Sequence, residues 1–157
     1  MSEIAVRDTE PMDVAYLPMT GPYKQTPEGY GKLYGWVAQH GLQAEGMPAA
    51  VYLTMPSEVP EEHARWELWA PLAGDPEEAA ADESGVGIKH VPRMHVIAAM
   101  HRGPYETVAP TYDAIWAFMD SHDFVPSGPP MERYYSDPDE VPAAEYLTEV
   151  VLPVRPK

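Results

Sequence analysis

Hydrophobic and polar positions follow the same pattern twice along the chain. Each copy has two short extended runs rich in β-branched and aliphatic residues, then one stretch of helical period, then two more extended runs. The extended runs cover 4–7, 12–19, 49–54 and 64–70 in the first copy, and 86–90, 94–101, 131–136 and 146–154 in the second. Each copy therefore predicts the element order β-β-α-β-β.

The helical stretch of each copy carries one apolar stripe with the spacing i, i+3, i+4, i+7. The stripe residues are Tyr30, Leu33, Tyr34 and Val37 in the first copy and Tyr112, Ile115, Trp116 and Met119 in the second. Pro27 suits the first turn of the first helix, and Gly41 suits its end. We expect both helices to pack one face on a sheet.

An internal repeat explains the doubled pattern. Gly21-Pro22-Tyr23 recurs as Gly103-Pro104-Tyr105, an offset of 82 residues, and the same offset gives 16 identities in 69 positions without a gap. Repeat 1 then covers 4–72 and repeat 2 covers 86–154. Residues 73–85 are acidic and rich in small side chains, as in a linker. We expect one domain over 1–157 that is built from these two repeats.

Short strands with one helix per repeat indicate an antiparallel α+β fold rather than a doubly wound sheet. We expect two tandem β-β-α-β-β repeats to form one antiparallel eight-stranded sheet with two helices. A pseudo-two-fold arrangement of this kind would leave a ligand groove between the helices.

Composition narrows the class of protein. The formal net charge of −15 argues against direct nucleic-acid binding and against an anionic membrane surface, and it is compatible with cationic ligands. There is no cysteine, no run of eighteen apolar residues and no phosphate-binding glycine loop. His90, His95 and His101 lack metal-ligand spacing. We expect a cytoplasmic protein with no metal and no cofactor.

One carboxylate lies in the middle of the last apolar run. Glu149 sits between Thr148 and Val150, and burying it there is costly unless something pairs with it. Three explanations are open. Glu149 lies in water on an edge strand, it pairs with an arginine elsewhere in the chain, or it pairs with a bound ligand. Its repeat mate Glu67 carries the same alternatives, with Arg65 and Arg7 as candidate partners for a structural ion pair.

Four segments occur in a fixed order on the duplicated frame: residues 14–23, His101-Arg102-Gly103-Pro104-Tyr105, Met131-Glu132-Arg133-Tyr134 with Ser136-Asp137-Pro138, and residues 147–154. On these segments the chain resembles the GyrI-like small-molecule-binding domain, also called the AraC-type effector-binding domain, which forms the drug-binding part of multidrug-sensing regulators. The resemblance covers nearly the whole chain, and no single motif is specific.

The resemblance implies a concave, aromatic-lined pocket for bulky, often lipophilic and cationic molecules. An acidic residue of the closing strand lies at the base of that pocket, and Glu149 matches it. We expect the walls to come from Tyr34, Tyr112 and Trp116 on helices and from Tyr52, Trp69 and Tyr134 on strands, with Glu67 as a weaker candidate. Trp69 has the same strand parity as Glu67, so both should point to one face.

Three functions follow from the resemblance. The first is a binding module, a sensor or a sequestering protein, in which Glu149 attracts a lipophilic cation and aromatic faces add cation–π attraction. The alternative is a hydrolase of cyclopropanoid, DNA-alkylating natural products, with Glu149 as catalytic acid or base and Tyr134 or Tyr52 as a second polar group. A lesser alternative is a modulator of DNA gyrase. The identity of any protein partner is left open.

Overall fold

A computed structural model describes residues 4–54, 59–136 and 140–157. The Asp137-Pro138 pair of the motif quoted above lies outside the described residues. The described residues form nine strands and two α-helices. The strands are β1 Ile4–Asp8, β2 Met12–Thr20, β3 Ala49–Tyr52, β4 Arg65–Leu72, β5 Gly87–Val91, β6 His95–Arg102, β7 Phe124–Pro126, β8 Met131–Tyr134 and β9 Leu147–Pro156, and the helices are α1 Thr26–Gln39 and α2 Ala109–Ser121.

The element order agrees with the sequence pattern in both repeats. Eight of the nine strands correspond to the eight extended runs, and each helix lies where its apolar stripe predicts it. The short strand β7 was not predicted, because three residues ending in a proline give too little alternation to be recognised. All pairings between these strands are antiparallel, so the predicted α+β class with two helices is confirmed.

The chain divides into two compact units. The N-terminal unit is Pro11–Pro92, and the C-terminal unit is the described part of Met1–Glu10 together with Arg93–Lys157. In the N-terminal unit the strands run in the order β3-β4-β2-β5, with α1 packed on β2 and β4. In the C-terminal unit the order is β1-β6-β9-β8, with β7 added beside β9 and α2 packed on β6 and β9.

These units do not coincide with the two sequence repeats. The first strand of repeat 1, β1, pairs with β6 in the C-terminal unit, and the first strand of repeat 2, β5, pairs with β2 in the N-terminal unit. Each repeat thus gives its first strand to the sheet of the other. The repeat alignment cannot reveal this exchange, because β1 and β5 are equivalent positions and satisfy the same pattern in either sheet.

The apolar stripes of both helices pack on the sheets, as predicted. In α1 the buried face is shifted slightly around the helix and includes Trp36. Leu33, Val37 and Ile115 are fully buried. Ile115 belongs to a cluster with Ile97, Ala99, Val150, Leu152 and Val154 from β6 and β9. The aromatic members of the stripes are only partly buried, so they lie at the border of each helix–sheet contact.

The acidic stretch 73–85 belongs to the N-terminal unit, and most of its residues are exposed. Ala79 forms an isolated bridge with Ile88 of β5. The Asp82 carboxylate accepts a hydrogen bond of 2.8 Å from Nε1 of Trp36 on α1 and further bonds from Ser84. These hydrogen bonds, that of Ser84 first, lower the pKa of Asp82 to about 2. No helix within the described ranges has the length and apolarity needed to span a membrane.

Candidate functional site

The C-terminal unit holds a buried carboxylate between two tyrosines. Glu132 of β8 is only 8% exposed. Tyr112 of α2 donates its hydroxyl to Oε2 of Glu132 at 2.7 Å, and Tyr134 donates to Oε1 at 3.2 Å. Two of the predicted wall residues therefore converge on a carboxylate that the sequence analysis did not select.

Strand register sets the direction of the Glu132 side chain. Glu132 lies opposite Val150 of β9, and Val150 belongs to the cluster that packs against Ile115 of α2. Side chains that are paired across antiparallel strands share a face, so Glu132 points to the helix-covered face of the sheet. The hydrogen bond from Tyr112 on α2 agrees with that direction.

Burial changes the acidity of this carboxyl group. Loss of water around Glu132 raises its pKa above the ordinary value of 4.5. The hydrogen bonds from Tyr112 and Tyr134 and the nearby His101 act in the opposite direction and offset only part of the rise. A carboxyl group of this kind can change its charge in response to a neighbouring cation or act as an acid or base.

Further aromatic rings pack against the two tyrosines that bind the carboxylate. The Tyr112 ring lies 6.4 Å from that of Trp116, another predicted wall residue. The Tyr105 ring packs edge-on against Tyr134 at 5.5 Å and stacks on Tyr146 at 5.0 Å. The faces of these rings give a lipophilic surface whose electrons attract positive charge, whereas the ring edges do not.

A buried histidine extends the polar part of this face. Nε2 of His101 lies 3.0 Å from the carbonyl oxygen of Pro104, which can only accept, so we assign the ring proton to Nε2. Nδ1 then accepts from the hydroxyl of Thr111 at 3.3 Å. When its ring is charged, His101 lowers the pKa of Glu132 and so opposes the effect of burial.

The equivalent face of the N-terminal unit lacks these polar groups. At the repeat offset of 82 residues, Glu132 corresponds to Ala50, His101 to Met19 and Thr111 to Gly29. The Gly29 position is filled by neighbours, since an added Cβ would meet Leu68 and Met19 within 3.0 Å. One duplicated frame thus folds with an apolar face in one unit and a polar face in the other, so packing does not require Glu132, His101 or Thr111.

Glu149 lies on the opposite face of the same sheet. It pairs with Arg133 of β8 and Met100 of β6 in register, one residue out of phase with Glu132 and Val150. Its Oε2 atom lies 2.9 Å from Nη2 of Arg7, and its Oε1 atom lies 3.7 Å from Arg133 and accepts from Tyr135 at 3.2 Å. Of the partners considered from sequence, the structure contains the arginine; the ligand role of Glu149 stays a prediction.

Glu67 has a different partner from the ones expected. Neither Arg65 nor Arg7 pairs with it: Lys89 of β5 contacts its Oε1 atom, and Trp69 donates to the same oxygen at 2.7 Å. The bond from Trp69 places both side chains on one face, as strand parity predicted. Lys89 is the repeat mate of Arg7, so the strand exchange gives both glutamates a cation from the exchanged strand. The pairing of Lys89 with Glu67 was not predicted, because the exchange of β1 and β5 between the two units cannot be recognised from the sequence.

The remaining predicted wall residues lie in the N-terminal unit. Tyr34 packs near Tyr30 with ring centroids 6.4 Å apart, and burial raises its pKa. Tyr52 contacts Tyr23 edge-on at 5.9 Å. Trp69 lies under Lys89, whose ammonium is 5.2 Å from the ring. Their part in ligand binding stays a prediction.

Glu132 and His101 were missed although the sequence offers a signal for them. Both belong to motifs that carried the resemblance, and both are polar where the aligned repeat has Ala50 or Met19. Comparing the two repeats for positions that change from apolar to ionisable would have selected them. In the described part of the chain no three His, Asp or Glu side chains cluster as metal ligands would.

A duplicated α+β frame with a buried carboxylate among aromatic rings is typical of a domain that binds small molecules. The model of the GyrI-like small molecule binding domain matches residues 2–155. The chain belongs to this family.

Known relatives agree with this assignment. A DNA gyrase inhibitor of Pantoea sp. (strain At-9b) is 28% identical over 143 residues, which cover 88% of each chain. The C-terminal domain of EcmrR matches 100% of this chain and 99% of its own with a TM-score of 0.79 and 17% identity. In the complex of EcmrR with DNA the TM-score is 0.85 at 15% identity, and the match covers 99% of this chain but only 58% of EcmrR.

A third structure with a similar fold was solved with a ligand. SAV2435 bound to tetraphenylphosphonium matches 98% of this chain and 94% of its own, with a TM-score of 0.55 and 12% identity. At such identities the structural matches show that the fold is shared.

Proposed function

We propose that this protein binds bulky lipophilic cations on the helix-covered face of the C-terminal unit, with Glu132 as the counter-charge, as a sensor or sequestering protein in the cytoplasm. The observation that carries the proposal is the buried Glu132 carboxylate held by two tyrosine hydroxyls inside a group of aromatic rings. The proposal moves the basal carboxylate from Glu149 to Glu132, because Glu149 already contacts Arg7 and Arg133.

The physical chemistry of the site favours a cation over other ligands. A buried carboxylate attracts a cation strongly because little water screens the two charges. Each ring face adds on the order of 0.5–2 kcal/mol when the cation is desolvated. The overall charge of −15 raises the local concentration of cations further. Anions would meet both the carboxylate and the negative field.

The ligand seen in a relative is consistent with this chemistry. Tetraphenylphosphonium, bound by SAV2435, is a lipophilic cation without any hydrogen-bonding group. Its charge can be paired with a carboxylate, and its four phenyl rings match an aromatic surface. The relative shares the fold, so tetraphenylphosphonium is the first probe that we would use.

The test is a titration of the purified chain with tetraphenylphosphonium and with tetraphenylborate, an anion of nearly the same shape. We expect saturable binding of the phosphonium at micromolar concentration and much weaker binding of the borate. Equal affinity for both ions would refute the role of charge, and no binding of the phosphonium would refute the proposal. Mass spectrometry of the recovered ligand shows whether it is returned unchanged.

Hydrolysis is the second candidate, and the raised pKa of Glu132 favours it. A carboxyl group that stays protonated at higher pH can donate a proton to an opening ring, and Tyr134 can hold a water molecule or substrate oxygen beside it. Incubation with a cyclopropanoid substrate should then give a water-added product over many turnovers. Modulation of DNA gyrase, the activity in the name of the Pantoea relative, is a lesser proposal that a supercoiling assay tests.

A further inference from the structure

Thr148 is another buried polar side chain in the C-terminal unit. It is fully enclosed, and its hydroxyl has no hydrogen-bond partner among the residues that the structure describes. Buried hydroxyl groups nearly always have a partner, because an unsatisfied one destabilises the fold. Among the described residues, the repeat mate Trp66 has the same property, since its buried Nε1 donor also lacks a partner, so burial alone does not assign a role to Thr148.

Strand register places Thr148 next to the Glu132 site. Thr148 lies opposite Tyr134 of β8 and opposite His101 of β6. Glu132 lies opposite Val150, so Glu132 and Thr148 are diagonal neighbours on the same face of the sheet. Diagonal neighbours on paired strands are about 7–8 Å apart. A molecule with the dimensions of a drug covers that distance easily.

The other unit shows that the frame does not need a hydroxyl at this position. The repeat mate of Thr148 is Trp66, a large aromatic side chain that is fully buried and packs against Tyr23 at 4.7 Å. Together with Ala50 and Met19 it makes the equivalent face of the N-terminal unit largely apolar. The hydroxyl of Thr148 thus occurs only in the unit that also carries Glu132.

We propose that Thr148 determines specificity by forming a hydrogen bond with a neutral polar group of the ligand. The preferred ligands are then lipophilic cations that also carry a hydroxyl or amide, rather than purely hydrocarbon cations. This inference rests on the proposed function, since it assumes that the cation is bound at Glu132. The charge selects the class of ligand, and Thr148 selects among its members.

The test compares tetraphenylphosphonium with its ortho-, meta- and para-hydroxymethyl derivatives, which keep the charge and nearly keep the shape. We expect the wild type to bind the best derivative about three- to tenfold more tightly than the parent, as one neutral hydrogen bond would give. Thr148→Val keeps the side-chain shape and should reduce that preference to about one. The same variant should raise Tm by about 2–4 °C, because it removes an unsatisfied hydroxyl.

Trp66→Phe is the matched control, since it removes the other buried donor without a partner, in the unit that lacks Glu132. It should leave the preference for the hydroxymethyl derivative unchanged. If the wild type shows no preference, or Thr148→Val retains it, the role of Thr148 is refuted while binding at Glu132 stands. If none of the phosphonium ions binds, or Glu132→Gln affects none of them, the proposed function itself fails.

Discussion

Replacing Glu132 by glutamine removes one charge from the site and changes its shape very little. The amide oxygen can still accept the hydrogen bond that Tyr112 donates at 2.7 Å. The amide nitrogen can donate to the hydroxyl oxygen of Tyr134, which rotates its own proton away. Effects on ligand binding should therefore report the charge rather than a collapse of the site.

The size of the effect follows from the electrostatics of the site. A cation placed about 6 Å from the carboxylate gains roughly 2.8 kcal/mol at an effective dielectric constant of about 20. Losing that attraction weakens binding about 100-fold. Because Glu132 is only 8% exposed, salt in the buffer should reduce the effect only moderately.

The assay is a titration of both proteins with tetraphenylphosphonium and tetraphenylborate. Glu132→Gln should weaken the phosphonium about 30- to 100-fold and strengthen the borate. Glu149→Gln is the matched control, since it removes the same charge from the opposite face of the same sheet. Equal weakening of both ions by Glu132→Gln, or a larger loss of phosphonium binding in the control, would refute the reasoning.

The pH dependence gives a second readout of the same group. The folded-state pKa of Glu132 is raised above 4.5, so ionising it destabilises the fold, and that loss develops from about pH 4.5 up to the raised pKa. Glu132→Gln should therefore raise Tm at neutral pH, and the gain should disappear below pH 4.5. Phosphonium binding by the wild type should strengthen with pH over the same window, whereas binding by the variant should stay flat.

Four further substitutions test the fold of the two units by thermal and chemical unfolding. Glu149→Gln should lower the free energy of unfolding by about 1–2 kcal/mol, since it leaves Arg7 without its carboxylate but partly in water; no loss would mean that the ion pair is not structural. Asp82→Asn should lower Tm at pH values above 3.8. The difference in Tm should vanish as the pH falls towards 2, because the pKa of Asp82 is lowered to about 2. A difference in Tm that persists at low pH would contradict this. Gly29→Ala should lose the gain that alanine otherwise brings to a helix, because the added methyl must displace the ends of the Leu68 and Met19 side chains. Gly31→Ala on the exposed side of the same helix should stabilise it by about 0.5–1 kcal/mol, and the opposite order would refute the packing of α1.

The helices and most strands could be predicted from the sequence, because the period of the hydrophobic pattern is a local property. Leu33 and Ile115 could be assigned to helix faces from their spacing alone, and both are buried. The exchange of β1 and β5 is not local. Both strands fit either sheet, so the partners of Glu67 and Glu149 could not be assigned from sequence.

Only part of the candidate site was predicted, because the sequence pattern does not show how the strands pair. Tyr112, Trp116 and Tyr134 were chosen as aromatic walls, and they lie together in the C-terminal unit. The resemblance pointed to Glu149, whose ligand role stays a prediction, and Glu132 was not selected. Only the register between β8 and β9 shows that Glu132 faces α2 whereas Glu149 faces away.

The central claim is that the ligand charge is paired with Glu132, and a crystal structure with tetraphenylphosphonium tests it most directly. We predict density for the phosphonium in the C-terminal unit, in contact with the Tyr112 ring and with its phosphorus atom about 6 Å from the Glu132 carboxylate. Density beside Glu149 and Arg7, or against Trp69 in place of the Lys89 ammonium, would contradict the account.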